Sequence, residues 1–79
     1  MSTAAARKLR PLAKEVRFSK HGLTVLLSDG REITAPLEWF PTLRDATPEQ
    51  RAKWRLIGGG VGLHWEELDE DVSIAGLLG

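Results

Sequence analysis

The chain has 79 residues, with 11 Lys+Arg against 11 Asp+Glu for a formal net charge of zero, and no cysteine. A chain of this length makes one domain with a small core, burying only about 60–65% of its unfolded surface. The missing cysteines exclude disulfides and thiolate metal sites. No run approaches the ~18 apolar residues of a membrane span. The start Met-Ser-Thr-Ala-Ala-Ala-Arg-Lys lacks the apolar segment of a signal peptide, so a cytoplasmic location is expected.

The charges are sorted along the chain. Residues 1–20 hold Arg7, Lys8, Arg10, Lys14, Arg17 and Lys20 against Glu15 alone, whereas Glu66, Glu67, Asp69, Glu70 and Asp71 meet no cation after Arg55. Such polarity orients a partner or pairs one end of the chain with the other. Residues 1–15 read as a flexible basic arm in front of a single α+β domain over 16–79. Three cations in Arg7-Lys8-Leu9-Arg10, without a stacking aromatic, fall short of a nucleic-acid-binding arm.

Val16 to Ser19 alternates and predicts a first strand, and Lys20-His21-Gly22 a turn. Leu23 to Leu27 is the second strand, with Leu23, Val25 and Leu27 on its core side. Asp29-Gly30 is a strong hairpin signal, and Glu32 to Ala35 follows as the third strand with Ile33 and Ala35 facing in. Pro36 ends it, since proline has no N–H for the ladder. Leu37-Glu38-Trp39-Phe40-Pro41 predicts one irregular or 3₁₀ turn. At least one of its two aromatics is expected to plug the core, and an exposed one would be a docking patch.

Thr47-Pro48-Glu49-Gln50 starts a short helix running to about Trp54, with Thr47 as cap and Gln50 completing a capping box. Ala52 and Trp54 are expected to face the sheet, and Arg51 and Lys53 to point to water. Leu56-Ile57 and Val61 to Trp65 flank Gly58-Gly59-Gly60, which predicts a hairpin added to the same sheet. Alternation puts Val61, Leu63 and Trp65 on one face, Gly62 and His64 on the other. Ile74, Leu77 and Leu78 at helical spacing predict a terminal helix capped by Asp71 or Ser73. The expected core includes Val25, Leu27, Ile33, Ile57, Leu63 and Leu77.

Little here carries chemistry. His64 with Glu66, Glu67, Asp69 and Asp71 is the one cluster of ligand-type residues, and zinc wants three or four converging ligands. The segment also lacks the alternating oxygens and bend glycine of a calcium loop. Gly58-Gly59-Gly60-Val61-Gly62 has neither the Lys-Ser/Thr of a P-loop nor the final glycine of a dinucleotide fingerprint. Ser19, Ser28 and Ser73 have no adjacent base. The sequence predicts no enzyme, no metal and no cofactor.

Leu27-Ser28-Asp29-Gly30-Arg31, Pro36-Leu37-Glu38-Trp39-Phe40-Pro41, Arg55-Leu56-Ile57-Gly58, Gly62-Leu63-His64-Trp65, Leu68-Asp69-Glu70-Asp71-Val72-Ser73 and Gly76-Leu77-Leu78 occur in this order. From about Val16 onward the chain thereby resembles the small bacterial family named domain of unknown function 2442. The resemblance implies an α+β fold of the kind seen in the N-terminal domain of a Nitrosomonas member, and no catalytic residues. Members are often encoded beside a second small protein, in pairs that look like toxin–antitoxin modules. That implies a non-enzymatic interaction module, antitoxin-like, with a small protein partner. The candidate binding face is Glu66, Glu67, Asp69, Glu70 and Asp71 with Trp39. The alternative is a phage or mobile-element inhibitor of the anti-CRISPR type, whose carboxylates stand where phosphates would lie on a host protein.

Overall fold

A computed structural model describes residues 11–78, and the first ten residues of the expected basic arm lie outside them. β1 (Ala13–Phe18), β2 (Gly22–Leu27) and β3 (Glu32–Pro36) form one antiparallel sheet in the order β1-β2-β3. β4 (Trp54–Ile57), β5 (Gly62–Trp65) and β6 (Glu70–Ser73) form a second in the order β4-β5-β6. Between them lie a 3₁₀ turn, Leu37–Trp39, and two single-turn helices, α1 (Pro41–Arg44) and α2 (Pro48–Arg51); α3 (Ile74–Leu78) ends the described chain. The class is α+β, as the strand-rich pattern predicts. The meander and the glycine hairpin, however, lie in two sheets rather than one.

The first sheet follows its sequence closely. β2 and β3 pair antiparallel with Val25 opposite Ile33 and Leu23 opposite Ala35, and Asp29-Gly30 makes the turn, Gly30 at φ 94°. Alternation holds across the sheet: Val16, Val25 and Ile33 share a row on the core side, while Arg17, Thr24 and Thr34 share one outside. On that outer row the Thr24 and Thr34 hydroxyls are 2.8 Å apart, and Arg17 donates to Glu32 at 3.0 Å. β1 begins at Ala13, ahead of the alternating run, because a bulge at Lys14 resets the phase and lets Ala13 turn inward opposite Leu27. Ala13, Lys14 and Glu15 thus belong to the sheet and not to the arm.

The glycine turn joins the two sheets. Gly58, Gly59 and Gly60 all have positive φ, the last at 127°. The Ala13 N–H donates to the Gly60 carbonyl at 2.7 Å, so β1 of one sheet is tied to the β4–β5 turn of the other. One core holds both: Val16, Leu23, Val25 and Leu27 from the first sheet pack with Leu63, Trp65 and Val72 from the second, and with Leu37, Leu43 and Ile74 from the helical pieces. Phe18 meets Trp65 edge-to-face, centroids 6.2 Å apart.

Several expectations change in this context. Val25, Leu27 and Leu63 are buried, and Ile33 and Leu77 half-buried against the core, but Ile57 is 38% exposed. Ile57 lies on the outer face of the second sheet, across Gly62, whose missing side chain leaves room for it. Val61 falls in the turn and is exposed. The helix that starts at Thr47 has its full capping box, yet stops at Arg51; Trp54 opens β4 instead, and Ala52 is exposed. Arg51 does not point to water. Its Nε donates to the Leu43 carbonyl at 2.8 Å, its Nη2 to the Arg44 carbonyl at 2.7 Å, and its guanidinium lies 5.2 Å from the Phe18 ring centre. It thereby closes the C-terminus of α1, whose Leu43 is fully buried.

Candidate functional site

The candidate face is built on β5, β6 and the turn between them. Only one β6 residue, Val72, is strongly apolar, and Asp and Glu are poor strand formers. The strand forms because β5 offers a partner: Gly62, Leu63, His64 and Trp65 stand opposite Ser73, Val72, Asp71 and Glu70. Val72 is thereby carried into the core. Four residues, Glu66 to Asp69, make the hairpin turn, closed by the Leu68 N–H to the Trp65 carbonyl at 3.2 Å. Asp69 takes φ 52°, a conformation that Asp tolerates better than most residues. One of the five carboxylates thus has a backbone role.

The others are placed as follows. Glu66 is exposed and accepts from Arg55 at 2.9 Å, with His64 Nε2 at 3.4 Å. Glu67 lies 3.6 Å from Lys53. Glu70 is half-buried on β6 opposite Trp65. Asp71 is not a helix cap: it stands directly across from His64, and its carboxylate contacts Nδ1 of that ring. Ser73 caps α3, accepting from the Gly76 N–H at 3.2 Å. The acidic segment therefore does meet cations, supplied across the sheet by Lys53 and Arg55 on the other side of β5. Exposed pairs of this kind contribute roughly 0–1 kcal/mol and exchange readily for a partner's charges. Two cations against five carboxylates leave the face negative.

His64 sits at the centre of a cross-strand row, Arg55–His64–Asp71, with its side chain 16% exposed. Both ring nitrogens face carboxylates, and the contact with Asp71 links β5 to β6. Among the described residues no three His, Cys, Asp or Glu side chains form a group that could hold a metal ion. No helix among them is long and apolar enough to cross a membrane.

Trp39 is brought to this face by the 3₁₀ turn that follows β3. Phe40 turns toward the core, half-buried, while Trp39 stays 64% exposed. Together they line a groove of about 330 Å³ with Asp71, Val72, Ser73, Gly76 and Leu77. The sequence-predicted residues Trp39 and Asp71, 32 positions apart in the chain, thus share one depression. Glu66 and Glu67 belong to the opposite side of the face, toward Lys53 and Arg55. Sequence reasoning missed the edge strand β6, and with it the His64–Asp71 pairing and the groove. The signal available was the four-residue spacing between Trp65 and Glu70, followed by the alternating Val72 and Ile74.

Two small three-stranded antiparallel sheets around one core, with short helices, define a compact α+β class of domain. Within that class, residues 13–79 match the family described as protein of unknown function DUF2442, and the chain belongs to that family. Two solved structures are similar. A protein of unknown function from Rhodospirillum rubrum ATCC 11170, solved by crystallography at 2.75 Å, is 32% identical over 89% of this chain and 87% of its own, with a TM-score of 0.73. An uncharacterized protein from Chromobacterium violaceum, solved by solution NMR, is 27% identical over 99% of this chain and 78% of its own, with a TM-score of 0.72. No curated protein matches the chain.

Proposed function

We propose that this protein is a non-enzymatic interaction module that binds a small protein partner through the Glu66–Asp71 side of its second sheet together with Trp39. The observation that carries the reading is Trp39, 64% exposed and lining one groove with Asp71. Tryptophan is enriched among residues that dominate binding energy, and surrounding carboxylates steer a basic partner and fix its register. Five carboxylates in six residues exceed what the fold needs: Asp69 serves the turn and Asp71 the strand pairing, whereas the pairs that Glu66 and Glu67 make with Arg55 and Lys53 are exposed and contribute little. An antitoxin-like role beside a co-encoded protein, in the cytoplasm, accords with this reading. A fold without cysteine needs no oxidising compartment.

The test is affinity capture from the native host with identification of the bound proteins by mass spectrometry. Trp39→Ala and the triple variant Glu66→Gln/Glu67→Gln/Glu70→Gln are run in parallel. The triple variant removes three charges and keeps the shape; it should slow association and flatten the salt dependence of binding. A partner held equally well by both variants, with their folds intact, would remove this reading.

A further inference from the structure

The acidic face ends on an open strand edge. β6 is the outermost strand of the order β4-β5-β6. In an antiparallel ladder, residue pairs alternate between those that exchange hydrogen bonds and those whose N–H and C=O point away from the partner strand. The Ile74 N–H donates to the Val61 carbonyl at 3.0 Å, one step beyond the pair Gly62 and Ser73. That bond sets the phase. Val72 and Glu70 direct their main-chain groups to β5, and Asp71 and Ser73 direct theirs outward. Among the described residues, no turn or loop main-chain hydrogen bond takes up the N–H of either or the carbonyl of Asp71. The groove walled by Trp39, Phe40 and Leu77 runs along this edge, since Asp71, Val72 and Ser73 form its other side.

We propose that the β6 edge is a strand-addition site, which takes an extended, basic segment of a partner protein. The inference rests on the interaction reading above and names what the partner must present. An extended peptide pairing with Asp71 and Ser73 has side chains that alternate between two faces. One set meets Asp71, with Glu66 beyond His64 on the same face, and is Lys or Arg. The other set meets the Trp39–Leu77 wall and is apolar. Charge selects this occupant over a second copy of the chain. Two β6 edges side by side would bring Glu70 and Asp71 of both copies together, and like charges on facing strands are destabilising.

The probe is a blocked hexapeptide of alternating lysine or arginine and valine, titrated into the full chain labelled with ¹⁵N. Its control carries the same side chains with alternate main-chain nitrogens methylated. The unmodified peptide should shift the Asp71 and Ser73 amides and the Trp39 indole saturably, and slow hydrogen exchange at those two amides. Methylation should weaken binding about tenfold, the effect of losing one or two main-chain hydrogen bonds. Gly76→Ala should also weaken it: a Cβ there meets only the Ser73 side chain, at 3.7 and 3.8 Å, so the fold tolerates the methyl group that it adds to the groove lining.

Equal affinity for the methylated peptide would overturn strand addition, as would no binding at millimolar concentration. Self-association of the chain through this edge would overturn the choice of occupant. Shifts confined to Glu66 and Glu67 would also overturn strand addition while leaving charge-steered partner binding intact. Unchanged partner capture by both Trp39→Ala and the triple glutamine variant removes that earlier reading even where the peptide adds to β6.

Discussion

Gly60 and Ala13 are in main-chain contact. The Gly60 carbonyl accepts the Ala13 N–H at 2.7 Å, and a Cβ built on Gly60 would stand 2.8 Å from the Ala13 carbonyl oxygen. This contact is where the two sheets meet, and it admits no side chain. Gly60→Ala should cost at least about 2 kcal/mol, through overpacking and a φ of 127° together. Gly59→Ala, with φ 75° but nothing within 4 Å of the added methyl, should cost about 1 kcal/mol. Urea denaturation of both variants checks the order. Equal losses would mean that the close approach to Ala13 is not what requires Gly60.

Leu63 and Ile57 test which hairpin residues hold the core. Leu63 is fully buried and Ile57 38% exposed, although both are aliphatic and flank the same glycine turn. Leu63→Ala should destabilise by about 2–5 kcal/mol, enough to unfold much of a domain this small. Ile57→Ala should cost about 1 kcal/mol or less. Thermal and chemical unfolding of the two variants makes the comparison.

Arg51 is predicted to be structural. Removing its side chain takes a donor from the Arg44 carbonyl and one of the donors from the Leu43 carbonyl, which keeps the Ala46 N–H at 3.2 Å, and uncovers one face of Phe18, which itself packs on Trp65. Arg51→Ala should lose about 1–3 kcal/mol. Arg51→Lys should recover only part, since an ammonium cannot reproduce the fork that reaches both carbonyls. Binding measured at a temperature where the variants stay folded should be unchanged.

The Asp29–Gly30 turn gives a pH dependence of definite sign. The Arg31 backbone N–H donates to the Asp29 carboxylate at 3.0 Å, and the Arg31 guanidinium pairs with its other oxygen at 2.8 Å. These hold the carboxyl below its ordinary value of 3.8. A carboxyl whose folded pKa is depressed contributes stability that is full above the unfolded value and lost as pH falls through the folded one. Asp29→Asn should therefore lower the urea midpoint at neutral pH, and the gap from the wild type should begin to narrow below about pH 4 and close as pH falls through the lower folded value. A gap that persists unchanged at low pH would assign the effect to the amide's geometry and not to charge.

Much of this protein is legible residue by residue, and the limits have a physical pattern. The β1–β3 meander, the Asp29-Gly30 and Gly58–Gly60 turns, the 3₁₀ turn after Pro36 and the capping box at Thr47 all rest on local rules. Alternation, positive φ at glycine, and a proline without an N–H act within a few residues, so the sequence alone determines them. The acidic content of Glu66–Asp71 is local in the same sense.

What only the tertiary structure decided is where partners come from elsewhere in the chain. β6 is a strand because β5 pairs with it and not because Glu70-Asp71-Val72-Ser73 favours one. Ile57 is exposed because its pairing with Gly62 puts it on the outer face of the second sheet, away from the common core. Arg51 folds back, half-buried, because α1 ends within its reach. Trp39 and Asp71 line one groove because the turn after β3 folds back beside the last strand. Each depends on contacts between residues far apart in sequence, whose geometry no local periodicity carries.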